Sequence, residues 1–201
     1  MFTNEDSSNR DAARNIPVFL KAEEIRILVL RIVQAVENTD ITFKGDHASI
    51  QKEWIQSSLD HLMQNATVIP AKISGAEAVE MYDLKMENAT IIRKAAKELI
   101  TDARSLQING YKETEYLDLL RNEIEIFRVV FAEWVKTFDP FNYSIDRWGL
   151  FNPPGVNYND HDPEDDIPFN PLEYLDTSFY LYDDEDLDED ESDEDDDENM
   201  K

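Results

Sequence analysis

LMQNATVIPAKISGAE, residues 62–77, decides how many helices this chain builds. Leu62, Ala66, Ile69, Ile73 and Ala76 recur at the spacing of one helical face, so an apolar stripe runs straight through Pro70. Proline has no N–H to donate and its ring crowds the preceding turn, so it breaks or kinks a helix. Just beyond it, Ser74-Gly75-Ala76-Glu77 matches a capping box, in which the serine hydroxyl and the glutamate carboxylate each accept from the other residue's backbone N–H. Two readings follow: a new helix that starts at Ser74, or one kinked helix that continues through the break. A continuous helix of about 58 residues would be a rod of roughly 90 Å at 1.5 Å per residue, longer than any other helix here could cover. The expectation is therefore two helices, with the second starting at Ser74.

Upstream, Ile50, Trp54, Ile55, Leu59, Leu62, Met63 and Ala66 extend the same face back to a turn at Gly45-Asp46. Before that turn a first helix is expected from Leu20, with Ile25, Leu28, Val29, Ile32, Val33 and Val36 on its apolar side. Glu23 and Glu24 would then lie in its first turn, complementing the helix dipole. Asn38-Thr39-Asp40 ends it. Downstream, the helix expected over Ser74–Ser105 carries Met81, Leu84, Ile91, Ile92, Ala95, Leu99 and Ala103, an alanine-rich face suited to close packing. Asn109-Gly110 is a turn signal. The last helix, from about Thr114, sets Tyr116, Leu117, Leu120, Ile124, Phe127, Phe131, Trp134 and Phe138 at near-heptad spacing, and Asp139-Pro140 closes it. Nothing up to residue 137 alternates as a strand would. The fold class expected is all-α: an antiparallel four-helix up-and-down bundle over residues 20–139, behind a flexible segment 1–19.

The character changes after residue 139. Residues 140–182 hold six prolines yet are crowded with aromatics, which a disordered linker would not be. They read as an irregular arm packed on the bundle or on a partner. Residues 183–201 read as a disordered polyacidic tail, since 14 of the 16 residues over 183–198 are acidic. The formal net charge of −26 is therefore unevenly placed: residues 1–137 hold 17 basic and 22 acidic side chains, and residues 138–201 hold 2 and 23.

That polarity argues against direct binding to nucleic acid or an anionic membrane and for a basic protein as the partner of the tail, with solubility as the plainer reading. The chain has no cysteine, which removes disulfide, thiol and iron–sulfur chemistry. The densest apolar stretch, Ile25 to Val36, is interrupted by Arg26, Arg31 and Gln34, and the N-terminus lacks a signal-peptide core, so a cytoplasmic protein is expected.

Chemistry-bearing constellations are sparse. With five glycines, and no nucleophile-elbow, zinc-protease, P-loop or dinucleotide motif, no catalytic residue and no cofactor is expected. A carboxylate metal site inside the bundle is the alternative, with Glu77, Glu80 and Glu87 on one helix and Glu123 on the next. It lacks the Glu-x-x-His pairs such sites use, because none of the three histidines follows a glutamate by three. Asp160, Asp162, Glu164, Asp165 and Asp166 crowd oxygen ligands into a short stretch, as calcium loops do, but without the turn glycine or the terminal glutamate. The remaining segment is WGLFNPPGV, residues 148–156. Trp148, Phe151, Pro153 and Pro154 read as a stiff apolar plug that either covers a groove on its own bundle or presents itself to a partner, self-docking being the simpler. A non-enzymatic binding protein is the expected class, with a groove between helices partly closed by residues 140–182. A second copy of the chain could equally complete the apolar helix faces.

Overall fold

A computed structural model describes residues 14–39, 41 and 47–162. Four helices follow in order: α1 (Pro17–Glu37), α2 (Ala48–Glu77), α3 (Tyr82–Ile108) and α4 (Glu115–Val135). Each packs against its neighbours in sequence and α4 closes back onto α1, the arrangement of an up-and-down four-helix bundle. Among the described residues there is no strand, and no helix is long and apolar enough to cross a membrane. The helices and the arm as far as Asp160 belong to one compact unit.

The structure corrects the reading of residues 62–77. Helix α2 runs through Pro70 to Glu77 and the chain breaks only at residues 78–81. Ser74 starts no helix; its carbonyl accepts the Ala78 N–H at 3.1 Å, as a residue in a last turn does. Neither a start at Ser74 nor one continuous rod is realised. Burial decides the outcome. A proline inside a helix costs about 3 kcal/mol, whereas each fully buried Leu or Ile contributes roughly 1.5–3 kcal/mol. Leu62, Ala66, Ile69, Ile73 and Ala76 are all completely buried, so keeping the stripe on one helix outweighs the lost hydrogen bond.

Other boundaries move less. Helix α1 begins at Pro17 rather than Leu20, because a proline at the first helical position gives up an N–H that has no partner there anyway. Glu23 and Glu24 consequently lie beyond the first turn, which holds no acidic residue. Ile50, Trp54 and Leu84, assigned above to apolar faces, are exposed near the starts of α2 and α3. Helix α4 stops at Val135, yet Phe138 in the turn that follows remains buried.

The α2–α3 pair is the most intimate. Ala66, Ala76, Ala89, Ala95 and Ala103 are buried, and the small side chains let the two backbones approach. Ser58 Oγ donates to Ser105 Oγ at 2.8 Å, and farther along a Cβ at Gly75 would stand 3.5 Å from Asn88, a register that runs antiparallel. Across α1 and α4, the Lys21 ammonium bonds Glu123 and also Glu24. At the end where α2 and α4 finish, Trp134 Nε1 donates to Glu77 Oε1 at 2.8 Å. Phe127, Phe131, Trp134 and Phe138 form a ladder of ring contacts down α4, closing on an edge-to-face pair at 4.8 Å.

Candidate interaction site

The arm leaves the bundle at Asp139-Pro140 and is tied to the start of α3. The Tyr82 N–H donates to the Asn142 carbonyl at 2.7 Å, and the Ser144 N–H donates to Asp83 Oδ1 at 3.0 Å. The first bond takes up one of the N–H groups that every helix start leaves unpaired.

From there the chain folds around one carboxylate. Asp146 Oδ1 accepts the Trp148 N–H at 2.9 Å, while Oδ2 accepts the N–H groups of Leu150 at 2.8 Å and Phe151 at 3.0 Å. Asn152 locks the base of the loop from both sides: its Oδ1 accepts the Asp146 N–H at 2.7 Å and its Nδ2 donates to the Asp146 carbonyl at 2.9 Å. The Arg147 guanidinium donates to the carbonyls of Tyr158 at 3.0 Å and Asp160 at 2.7 Å, which fastens the far end. Desolvation pushes the Asp146 carboxyl upward, but the three backbone N–H bonds outweigh it and hold the group below its ordinary value.

Two glycines make the turns possible. Gly149 sits at φ 71° with its Cα against the Tyr158 side chain, where a Cβ would stand 3.4 Å away. Gly155 sits at φ 93° in the turn closed by the Val156 N–H on the Pro153 carbonyl, so Pro154-Gly155 occupies the central positions as a type II turn requires.

This hydrogen-bonded frame buries Pro153, half-buries Phe151 and leaves Pro154 exposed. It does not bury Trp148, which is 88% exposed, and Leu150 beside it is exposed as well. Phe151 and Pro153 are thus withdrawn from solvent, whereas Trp148 is not covered by its own bundle. The physical reason is that Asp146 satisfies the loop's backbone internally, so the loop needs no apolar surface beneath Trp148 to hold its shape. Asp146, Arg147 and Asn152 were not singled out from sequence. An aspartate followed by a glycine three positions on and an asparagine three later was the available signal, since Asp and Asn bond nearby backbone groups in turns.

The carboxylates proposed for a metal do not converge. Glu77 is engaged by Trp134 and Glu123 by Lys21, while Glu80 and Glu87 are exposed. Among the described residues no group of three or more His, Asp or Glu side chains is placed to hold a metal ion. In the acidic stretch, Asp160 spends its carboxylate on the Asn157 N–H at 2.8 Å. Asp162 belongs to a separate compact unit, and Glu164, Asp165 and Asp166 lie outside the described residues, as does the acidic tail.

Between α2 and α3 lies a polar cleft of about 470 Å³ that includes His61, Asn65, Glu98 and Asp102. His61 Nδ1 stands 3.8 Å from Asp102 Oδ1. Burial raises the Asp102 carboxyl above its ordinary value, and neighbouring Glu98 adds to this against the pull of His61 and Asn65. His61 is exposed and Asp102 largely buried, and Glu98 and Thr101 line the same cleft. The chain matches no protein-family model, no curated protein and no solved structure.

Proposed function

We propose that this chain is a non-enzymatic binding protein of the cytoplasm that grips a partner protein through the Trp148 loop. The observation that carries this reading is a tryptophan left 88% exposed on a loop whose backbone is fixed by Asp146, Asn152 and Arg147. Tryptophan is among the commonest binding hot spots, and a side chain held on an ordered backbone loses little conformational freedom when it enters a pocket. Leu150 exposed beside it widens the apolar contact. The partner surface that fits is an apolar pocket rimmed by polar groups. The acidic run at 183–198 acts separately, by attraction to basic surfaces or simply by keeping the chain in solution, and direct nucleic-acid binding is not part of the function.

Capture from source-cell lysate with the full-length protein and with Trp148→Ala tests the reading. A partner retained by the first, lost from the second and insensitive to moderate salt places recognition in the loop. A partner held equally by both and released by salt assigns recognition to the acidic run, and the loop loses its role.

A further inference from the structure

Of the neighbouring helix pairs, α3 and α4 touch least. Near their connection they are joined by Arg121 Nη2, which donates to Gln107 Oε1 at 2.6 Å. Toward the other end the Lys85 ammonium stands 5.4 Å from the centre of the Phe138 ring. Between these two clasps the helices part and leave an open groove of about 650 Å³. Ala96, Ile100, Ile124, Phe127 and Phe131 form its apolar floor. No residue of the described arm lines it, so residues 140–162 do not close it.

The rim is charged with a bias. Arg93, Lys97 and Arg128 border the groove against a single acid, Glu125, which already accepts from Arg128 Nε at 2.9 Å. Arg93 and Lys97 are exposed and, among the described residues, neither has a carboxylate partner. On a chain of formal net charge −26 this is a local cationic edge beside an apolar floor. From Arg93 to Ile100 the floor runs about 10 Å at 1.5 Å per residue, two helical turns. That length suits anchors at i, i+3 or i+4, and i+7 of a helix laid lengthwise in the groove.

We propose that the α3–α4 groove is a second binding site, which receives an acidic amphipathic helix of a partner protein. The apolar stripe of that helix covers Ile100, Phe127 and Phe131, and carboxylates beside the stripe meet Arg93 and Lys97. Charge complementarity selects this occupant over a basic helix, which Arg93 and Lys97 repel.

The test is calorimetric titration of the full-length protein with a synthetic helical peptide that carries Leu at heptad spacing and Glu beside it, next to a matched peptide with Lys in place of Glu. The acidic peptide is expected to bind, with affinity falling roughly tenfold or more in Arg93→Glu/Lys97→Glu and falling as salt rises. Ala132→Glu, an exposed position on the opposite rim, weakens it independently, and Trp148→Ala leaves it unchanged, which separates this site from the loop. No binding of the acidic peptide, equal binding of the lysine peptide, or indifference to the charge reversals overturns the proposal. So does binding that appears only when the acidic residues of 183–198 are replaced by serine in the full-length chain, since the occupant is then the chain's own sequence. A concentration-dependent dimer in sedimentation that Arg93→Glu/Lys97→Glu abolishes assigns the groove to a second copy and overturns it as well.

Discussion

Trp134 and Trp148 are close in sequence and opposite in environment. The first is 8% exposed at the end of α4, packed between the rings of Phe131 and Phe138 and bonded through its indole N–H to Glu77. The second is 88% exposed on a loop held by hydrogen bonds to Asp146. Both regions are ordered, but by different means. In the bundle, order comes from apolar area removed from water. In the arm it comes from Asp146, Asn152 and Arg147, which satisfy the backbone and free Trp148 and Leu150 from packing duty. A side chain freed in this way is available to a partner.

Substitutions separate the two regimes. Trp134→Ala removes a buried indole and should cost about 3–5 kcal/mol of unfolding free energy, read as a lowered urea midpoint. Glu77→Gln keeps an acceptor for the Trp134 N–H but gives up its charge, and a loss of about 1 kcal/mol is expected by the same measurement. Asp146→Ala should leave the bundle's urea midpoint nearly unmoved while opening the chain between Arg147 and Tyr158 to limited proteolysis. If the bundle melts early instead, the arm and the helices are not held by separate means. Trp148→Ala should change stability by no more than about 0.5 kcal/mol, as expected of an exposed side chain, while abolishing partner capture. A large loss of stability there would mean the indole packs on its own chain.

Acid sharpens the same contrast. The Asp146 carboxyl titrates below its ordinary value in the folded loop, so the fold favours its ionised form. Its contribution is complete above the unfolded carboxylate value of about 3.9 and is lost as pH falls through the depressed folded value. The loop should therefore keep its protease resistance at mildly acidic pH and yield it only below that point. Asp102 has the opposite sign: burial raises its folded value, so its ionised form weighs against the fold at neutral pH, and this burden lifts on acidification.

The bundle was legible in the sequence because four long segments carry apolar residues at helical spacing, and burial acts on that spacing. The position of the second break was not. Ser74-Gly75-Ala76-Glu77 has the composition of a helix start, yet it forms the last turn of α2, since Ile73 and Ala76 are buried on the same face as Leu62. A capping pattern competes with tertiary burial, and only the packed partner decides between them. The arm is a different case. Its aromatics suggested burial by composition, while the deciding feature was a set of side-chain-to-backbone bonds centred on Asp146. The α3–α4 groove depends on how far two helices part between Gln107 and Lys85, which no local pattern in either helix encodes.

Amide hydrogen exchange at Trp148, Leu150 and Phe151 in the full-length protein tests most directly whether the tryptophan is displayed on a fixed loop. The expected result is slowed exchange at all three amides in the wild-type chain and near-unprotected rates in Asp146→Ala, with the helical amides of α4 unchanged. Unprotected exchange at these amides in the wild-type chain would contradict it, and Trp148 would then be an exposed residue on a loop with no fixed shape.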